Sequence, residues 1–296
     1  MASIEPAFLT SRNLLNVVRQ VSTSAVLGIG YTLVIGSGNF DLSIGTQLGL
    51  CGIVMAMLSK VVQLPIALGI GIVFGTLISM SSAVIINLFN LPAFIVTVAA
   101  SNVFRGASFL ITKMVPVAGL SKEFIFIGQG YLGPFPVPVY IMVFVGIIMY
   151  FIINRTLLGR HAISAGGNVE AAQVCGVKVK KIRLAVYGIM GAYAAVGGII
   201  LTGRSASAQV TAGQGLELDI IAAVVIGGTS MRGGNGNIAG TVFGCLLVGV
   251  VNNGLNLTGI DANWQVVAKG LLILFAIIMD VLSSRLLEKI RNRKKA

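Results

Sequence analysis

Charged residues are scarce in this chain of 296 amino acids: they make up 10% of it, whereas 56% of its residues are hydrophobic. A soluble domain of this size carries about 25% charged residues. With a mean hydropathy of +0.95, the chain has too little polar surface to cover a core in water, which excludes a soluble globular protein. We therefore predict an all-α fold, a polytopic helical membrane protein in contact with the lipid bilayer.

Groups that support catalysis or metal binding are also few. The chain has one histidine, His161, and three cysteines, with no CxxC pair. This set offers neither a zinc site nor a disulfide framework. No GxxxxGK[S/T] loop occurs, so the chain lacks the phosphate-binding motif with which it could power itself from ATP. We expect a protein that is not an enzyme, with no catalytic residue, no metal and no cofactor of its own.

Long apolar runs are what the sequence has in abundance. About 20 apolar residues are needed for a helix to cross a membrane. Two of the runs, 21–36 and 218–231, are short, and short glycine-interrupted segments are typical of broken helices that line a pathway. The nine predicted transmembrane segments are roughly 21–36, 43–59, 65–89, 93–112, 137–154, 184–203, 218–231, 236–257 and 264–284.

Basic residues concentrate in two places, 155–183 and 285–296. Each holds six Lys or Arg residues against one acidic residue. Because both flank apolar runs, the bias of Lys and Arg towards cytoplasmic loops explains them better than nucleic-acid binding does. We predict that both lie in the cytoplasm, with the C-terminus, and we expect no nucleic-acid partner.

The charge pattern also divides the chain. We predict an N-terminal interfacial segment at 1–20, a transmembrane domain at 21–284 that contains the cytoplasmic loop 155–183, and a basic cytoplasmic tail at 285–296. Five segments precede the loop, which would leave the N-terminus, with Arg12 and Arg19, outside. Either one more N-terminal span is missing from this sequence or one of the nine segments does not cross fully, and we favour the first explanation.

The basic loop contains a predicted short helix at about 169–175. Asn168 can cap it, a carboxylate in its first turn suits the helix dipole, two alanines favour helix, and glycine can end it. A plain connecting loop is the alternative, although nearly 30 residues is longer than a connection needs. The candidate residues of this loop are Gly167, Asn168, Glu170, Ala171, Ala172 and Gly176.

Polar side chains within the apolar runs are the other candidates, because such residues are costly in lipid and often functional. In "GSGNFDLSIG", residues 36–45, Asp41 or Ser43 can cap the helix that restarts at Ile44, or Asp41 can line a pathway. The amides can equally form helix–helix hydrogen bonds. The candidate pathway residues are Asp41, Asn102, Arg105, Asn252, Asn253 and Asn256.

The run Glu170-Ala171-Ala172, followed by Gly176, resembles the coupling loop of permeases from ATP-binding-cassette (ABC) importers. The stretches "GSGNFDLSIG", "NVFRGASFLIT", "LGRHAISAGGNVEAAQVCGV" and "LLVGVVNNGLNLTGI" extend the resemblance over nearly the whole chain. The chain is thus similar to the ribose-type, branched-chain-like sugar permeases, which are bacterial inner-membrane subunits. That family usually has a further span before the position of residue 10, ten in all, which agrees with the missing span inferred above.

The resemblance also implies a function and partners. It implies a permease that moves a monosaccharide of the pentose or hexose class, with ATP bound and hydrolysed by separate cytoplasmic ABC ATPase subunits that grip the coupling loop. A periplasmic or lipid-anchored binding protein would deliver the sugar, and a second permease copy, identical or related, would complete the pathway. The identity of the sugar stays open.

A stand-alone secondary transporter or channel for a small polar solute is the alternative. Such proteins usually bury paired ionisable groups. In this sequence we predict that Arg105 lies deep with no carboxylate beside it, and that Glu217 and Asp219 lie just outside the short span. This pattern favours the importer subunit. A purely structural subunit of a larger complex is a third, weaker hypothesis.

Overall fold

The computed structural model describes residues 6–261, 264–268, 270–271, 274–275 and 278. A 3-10 turn, Pro6–Leu9, precedes the helices, and one small antiparallel hairpin pairs β1 (Tyr131–Leu132) with β2 (Phe135–Pro136). The helices within residues 6–261 are α1 (Ser11–Gly36), α2 (Ile44–Leu58), α3 (Leu64–Phe89), α4 (Ala93–Thr112), α5 (Lys122–Gln129), α6 (Val137–Arg155), α7 (Leu157–Gly167), α8 (Val169–Val174), α9 (Val179–Ser205), α10 (Leu216–Ile226) and α11 (Ile238–Leu257).

Six helices in this part of the chain, α1, α3, α4, α6, α9 and α11, are long and apolar enough to cross a membrane. Two shorter apolar helices, α2 with 15 residues and α10 with 11, lie among them. The prediction of a polytopic helical membrane protein with some short segments is confirmed. Of the remaining predictions, the last segment, 264–284, lies partly outside the described residues, and those of its residues that are described are helical. The tail, 285–296, lies wholly outside the described residues.

Helix α1 begins ten residues earlier than the apolar run predicts. Thr10 caps it by accepting a hydrogen bond from the Asn13 amide, and the helix then continues without interruption to Gly36. No glycine or proline occurs between Pro6 and Gly28, so nothing in the sequence ends or kinks the helix there. Residues 11–20 of the predicted N-terminal segment are therefore part of a long helix, although their position relative to the membrane surface stays a prediction.

Helix α9 is the central element. It packs against α1, α2, α3 and α5, and glycines on its surface let the backbones approach closely. A Cβ on Gly191, for example, would collide with the Gly75 carbonyl of α3. Small residues at such contacts are what hold helices together in lipid.

The outer helices are apolar on both sides, since α3, α4 and α6 expose large hydrophobic side chains away from the core. Such faces are stable only against lipid or another protein. Their exposed residues include Leu88, Phe94, Val103, Leu110, Phe144 and Phe151.

Contacts along α9 define the two ends of the bundle. At its start, the Arg183 guanidinium donates hydrogen bonds to Asn39 and Asn87, each at 2.9 Å. Helices α7 and α8 lie just before this point, and we call this the basic end. At the other end of α9, Gly203 packs against Gly128 of α5, and we call this the opposite end.

Short polar contacts order the opposite end. Ser121 caps α5 by accepting a hydrogen bond from the Phe124 amide at 3.2 Å. Hydrogen bonds from the Glu123 backbone and the Ser121 hydroxyl hold the pKa of the Glu123 carboxyl below its usual range. Arg19 of α1 lies 4.8 Å from the centre of the Tyr131 ring, in a cation–π contact that ties α1 to the hairpin.

Candidate functional site

The basic segment 155–183 folds into two helices where the sequence analysis predicted one. Helix α7 was missed, because three glycines within it lower the helix propensity of its sequence. Thr156 begins it by accepting a hydrogen bond from the Gly159 amide at 3.2 Å. Asn168, with extended backbone angles, separates α7 from α8. We call residues 157–174 the elbow.

Helix α8 agrees with the predicted helix to within a residue. The Asn168 side chain caps it by accepting a hydrogen bond from the Ala171 amide at 2.9 Å. At its end Gly176 has φ +84°. The Val177 amide donates to Ala172 O at 3.0 Å and the Gly176 amide donates to Gln173 O at 2.9 Å, which together form a Schellman motif.

The outer surface of α8 is open. Ala172 is buried, whereas Glu170 in the first turn is exposed and Val174 is 89% exposed. A rigid helix capped at both ends therefore presents a carboxylate and an apolar side chain at the basic end, in a form suited to contact with another protein.

Residues 37–43 form a true break between α1 and α2. Asn39 is held by Arg183, and the Tyr187 hydroxyl donates to Phe40 O at 2.7 Å. The break therefore lies beside the first turns of α9, at the basic end. Leu48, four residues into α2, packs on Gly198. Helix α2 begins about halfway along α9, which is about 40 Å long.

Asp41 lies fully buried in this break. Its Oδ1 accepts hydrogen bonds from the Ser43 amide at 2.9 Å and the Ser43 hydroxyl at 2.5 Å, and its own amide donates to the Tyr31 hydroxyl at 3.1 Å. Ser43 is the N-cap residue of α2 but its side chain makes no capping bond. Asp41 thus closes the turn that starts α2. Within the described part of the chain its Oδ2 has no hydrogen-bond partner.

The connection 206–215 turns back into the bundle. Ala208 pairs with Val117, and the chain then descends until Gly213 contacts Gly45 backbone to backbone. Helix α10 therefore starts at the same level as α2 and runs towards the basic end. Two half-length helices meet N-terminus to N-terminus inside the bundle, which is the broken-helix arrangement found at transporter binding sites.

The position predicted for Glu217 and Asp219, just outside the short span, is wrong. Asp219 is only 8% exposed, and a Cβ on Gly45 would lie 2.5 Å from Glu217 Oε2. The reason is that the connection 206–215 re-enters the bundle and places the start of α10 in the core. Glu217 also interacts electrostatically with Arg105, and the prediction that no carboxylate lies directly beside Arg105 stays a prediction.

Arg105 and Asn102, both predicted for the pathway, differ in their surroundings. Arg105 lines a small cavity near the meeting point of the half-helices, together with Thr46, Ser108 and Gln214. Asn102 is exposed on the outer face of α4, where its amide donates to Val98 O of its own helix at 3.2 Å. The structure therefore brings Arg105, but not Asn102, towards the core.

A larger cavity of about 140 Å³ lies between α1, α9, α10 and α11. Asn252 and Asn256 line it, and the Asn252 amide reaches Asp219 Oδ2 at 3.4 Å. Asn253 faces away and exchanges hydrogen bonds with Asn13, at 2.9 and 3.1 Å. The i, i+4 spacing of Asn252 and Asn256 was a usable signal in the sequence, whereas the adjacent Asn253 lies on another face.

Several polar residues of this cavity were not among the predicted pathway residues. Thr23 Oγ1 is buried and has no hydrogen-bond partner among the described residues. Arg204 and Asp219 come from the neighbouring ends of α9 and α10. The sequence predicts surface positions for these ends, because the re-entry of the connection between them depends on contacts with distant segments. The polar residues that line the 140 Å³ cavity are Gln20, Thr23, Ser24, Arg204, Asp219, Asn252, Asn256 and Gln265. Among the described residues no three His, Cys, Asp or Glu side chains lie together as a metal site.

Comparison with known proteins identifies the type of transport subunit. The family described as "Branched-chain amino acid transport system / permease component" matches residues 13–277. The ribose import permease protein RbsC of Bacillus subtilis is 40% identical over 280 residues, which cover 94% of this chain and 87% of that protein.

Two Escherichia coli K12 proteins are also similar. Its ribose import permease RbsC is 38% identical over 95% of this chain and 89% of that protein. Its D-allose transport system permease AlsC is 35% identical over 94% of this chain and 86% of that protein. No solved structure gives a significant match. The chain therefore belongs to this permease family, as a multi-pass membrane subunit of the ribose-type sugar ABC importers.

Proposed function

We propose that this permease carries a monosaccharide of the pentose or hexose class across the bacterial inner membrane, with its basic end in the cytoplasm. The names of the relatives, which include ribose and D-allose permeases, support the substrate class. The basic residues of 155–183 support the orientation, because cytoplasmic segments are rich in Lys and Arg. The C-terminus would then also be cytoplasmic.

The single observation that carries the proposal is the form of α8. A helix of six residues has little stability alone, yet α8 is capped by Asn168, closed by Gly176 and exposed along its outer face. Such an element is suited to fit into a cleft on a separate ATPase subunit. Glu170 and Val174 would be its main contacts, and ATP would be bound only by that subunit.

We assign the pathway to the 140 Å³ cavity and to the small cavity that Arg105 lines. Amide and carboxylate groups of Asn252, Asn256 and Asp219 can hydrogen-bond sugar hydroxyls. Arg105 lines the second, small cavity, near the place where α2 and α10 meet. Asp41 acts here by closing the turn before α2. With few such groups, the permease would hold sugar weakly, and selectivity would come mainly from an external binding protein.

Two further partners follow from this assignment. The binding protein, periplasmic or lipid-anchored, would deliver sugar at the opposite end, near α5. A second permease copy, identical or related, would cover the outer face of α4, since an exposed amide such as Asn102 in the middle of a span is costly against lipid. The permease would then work as a dimer, with the outer face of α4 in the contact between the two copies.

The experiment for the α8 proposal is charge reversal at Glu170. In Glu170→Arg we expect the ATPase subunit to fail to co-purify with the permease and sugar import into cells to fall to background. Glu123→Arg, the same change on the exposed start of α5 at the opposite end, should leave ATPase attachment unchanged. Normal attachment and import in Glu170→Arg would contradict the proposal.

A secondary transporter is the second candidate, and a specific observation favours it. Asp41 is buried and Glu217 interacts electrostatically with Arg105, and buried ionisable groups of this kind couple transport to protons or sodium in other proteins. This candidate predicts uptake by the chain alone, without ATPase subunits. Family membership, together with the form of α8, favours the importer subunit.

A further inference from the structure

The end of the elbow touches both breaks in the helix bundle. Gly166, the second-last residue of α7, lies between Gly36 at the end of α1 and Gly234 in the connection between α10 and α11. A Cβ on Gly166 would collide with Gly36 O and would lie 2.8 Å from Ser37 C and 2.9 Å from Gly234 N. Backbone therefore packs on backbone, with no side chain between.

The two breaks are also joined to each other at this point. The Gly234 amide donates to Gly36 O at 2.9 Å. Gly38 and Gly233 have φ of +72° and +78°, a conformation that favours glycine, and a Cβ on Gly233 would lie 2.7 Å from Gly166 O. We call Gly36, Gly38, Gly166, Gly233 and Gly234 the glycine junction.

Each break leads to one of the two half-helices. The first break runs from Gly38 through the Asp41 turn to the start of α2. The second follows α10 directly and ends where Asn237 caps α11, its amide tied to Thr229 Oγ1 at 3.1 Å. Helices α2 and α10, whose N-termini meet beside the polar cavities, are thus both attached to the elbow through short segments of fixed geometry.

We propose that the glycine junction transmits movement of the elbow to α2 and α10, with Gly166 as its positioning residue. This inference rests on the proposed function, in which an ATPase grips α8. Well-packed interiors deform little, so a displacement of α7 must carry both breaks with it as long as the backbones stay in contact. A methyl group at Gly166 would force the elbow and the breaks apart and would weaken that link.

The chain offers a matched control in the next residue. A Cβ on Gly167 would meet only Gly234 Cα, at 3.6 Å, an ordinary van der Waals distance. Gly166→Ala and Gly167→Ala therefore make the same chemical change in the same helix turn, and the loss of glycine flexibility is comparable. They differ in whether the methyl group separates the elbow from the breaks.

The test uses the full importer complex and measures sugar molecules moved per ATP hydrolysed. We expect this ratio to fall by about tenfold in Gly166→Ala, since overpacking of a tight contact commonly has an effect of this size, while the ATPase subunits stay attached. Gly167→Ala should stay within about twofold of the unmodified complex. An unchanged ratio in Gly166→Ala, or loss of ATPase attachment in it, would overturn the inference.

A milder variant keeps the test decisive if Gly166→Ala does not fold. In Gly36→Ala the methyl group would lie 2.7 Å from Ile163 Cδ1, at the end of a flexible side chain, and 3.0 Å from Asn235 O. We expect a smaller fall in the same ratio, and an unchanged ratio would overturn the inference. Failure of the ATPase proposal is distinguishable, because it would appear as normal attachment and import in Glu170→Arg.

Discussion

Single polar residues in this permease have distinct tasks that their sequence positions alone do not reveal. Asn252 and Asn253 are neighbours in α11, yet Asn252 lines the 140 Å³ cavity and Asn253 pairs with Asn13 of α1. Because a helix turns by about 100° per residue, adjacent amides cannot share a face. One is thus a candidate for contact with sugar, and the other holds two helices together.

Leucine substitution should separate these two tasks. We expect Asn252→Leu to reduce the rate of import strongly and to lower the melting temperature of the purified permease less than Asn253→Leu does, because it removes only one long hydrogen bond, 3.4 Å, to Asp219. Asn253→Leu leaves Asn13 without its partner and should destabilise the fold by about 1 kcal/mol, seen as a lower melting temperature. Equal effects of the two variants on import and on melting would contradict the assignment.

Substitutions at Asp41 can separate its structural role from any effect of its charge on transport. Asparagine keeps an oxygen that can accept from the Ser43 amide, so Asp41→Asn should fold and import normally. Asp41→Leu leaves that buried amide unpaired and should cost about 1–3 kcal/mol of stability. Thermal melting and sugar uptake measure both. Loss of import by a well-folded Asp41→Asn would show that the carboxylate charge itself takes part in transport.

At the scale of elements, signals that are local in the sequence gave accurate predictions. Helix α8 was predicted because its cap, its alanines and its terminal glycine act within one short stretch. Helix α7 was missed because its glycines are chosen for close packing and lower its apparent propensity. The re-entry of 206–215 was missed because only a contact with a distant segment, Gly213 against Gly45, makes it visible.

The end of α8 depends on the backbone conformation of one glycine. Gly176 has φ +84°, a conformation that costs a residue with a side chain roughly 1–2 kcal/mol. We expect Gly176→Ala to loosen α8 and to weaken binding of the ATPase subunit by about tenfold, the equivalent of 1.4 kcal/mol. A titration of the ATPase subunit onto purified permease measures this. Gly119→Ala, at a φ of +77° far from α8, is the control and should leave binding unchanged.

For the whole molecule, the polytopic helical architecture followed from composition and from the long apolar runs, since so few charged residues exclude a soluble globular protein and the runs are of the length that a membrane-spanning helix needs. What composition could not supply is the arrangement of α2 and α10, which depends on glycine contacts between residues far apart in the chain. The orientation in the membrane is predicted from the distribution of charge, and an exposed cysteine offers a probe of this orientation.

That probe is Cys175, which is exposed just after α8, whereas Cys51 and Cys245 are buried. A membrane-impermeant maleimide should label the permease in inside-out vesicles and not in intact spheroplasts. Cys175→Ser should abolish the labelling and so identify its site. Labelling of Cys175 from outside would reverse the orientation and remove α8 from reach of a cytoplasmic ATPase.

In the proposed mechanism a separate ATPase, acting through α8, drives sugar through this permease. This is tested by the uptake of radiolabelled pentoses and hexoses, ribose and D-allose among them, into proteoliposomes in the presence of the binding protein. Uptake is compared between the permease alone and the permease with its ATPase subunits. We predict uptake of at least one of these sugars only with the ATPase subunits and ATP, and no uptake when the Glu170→Arg permease is mixed with the same subunits. Uptake by the permease alone, driven by a proton or sodium gradient, would contradict the account.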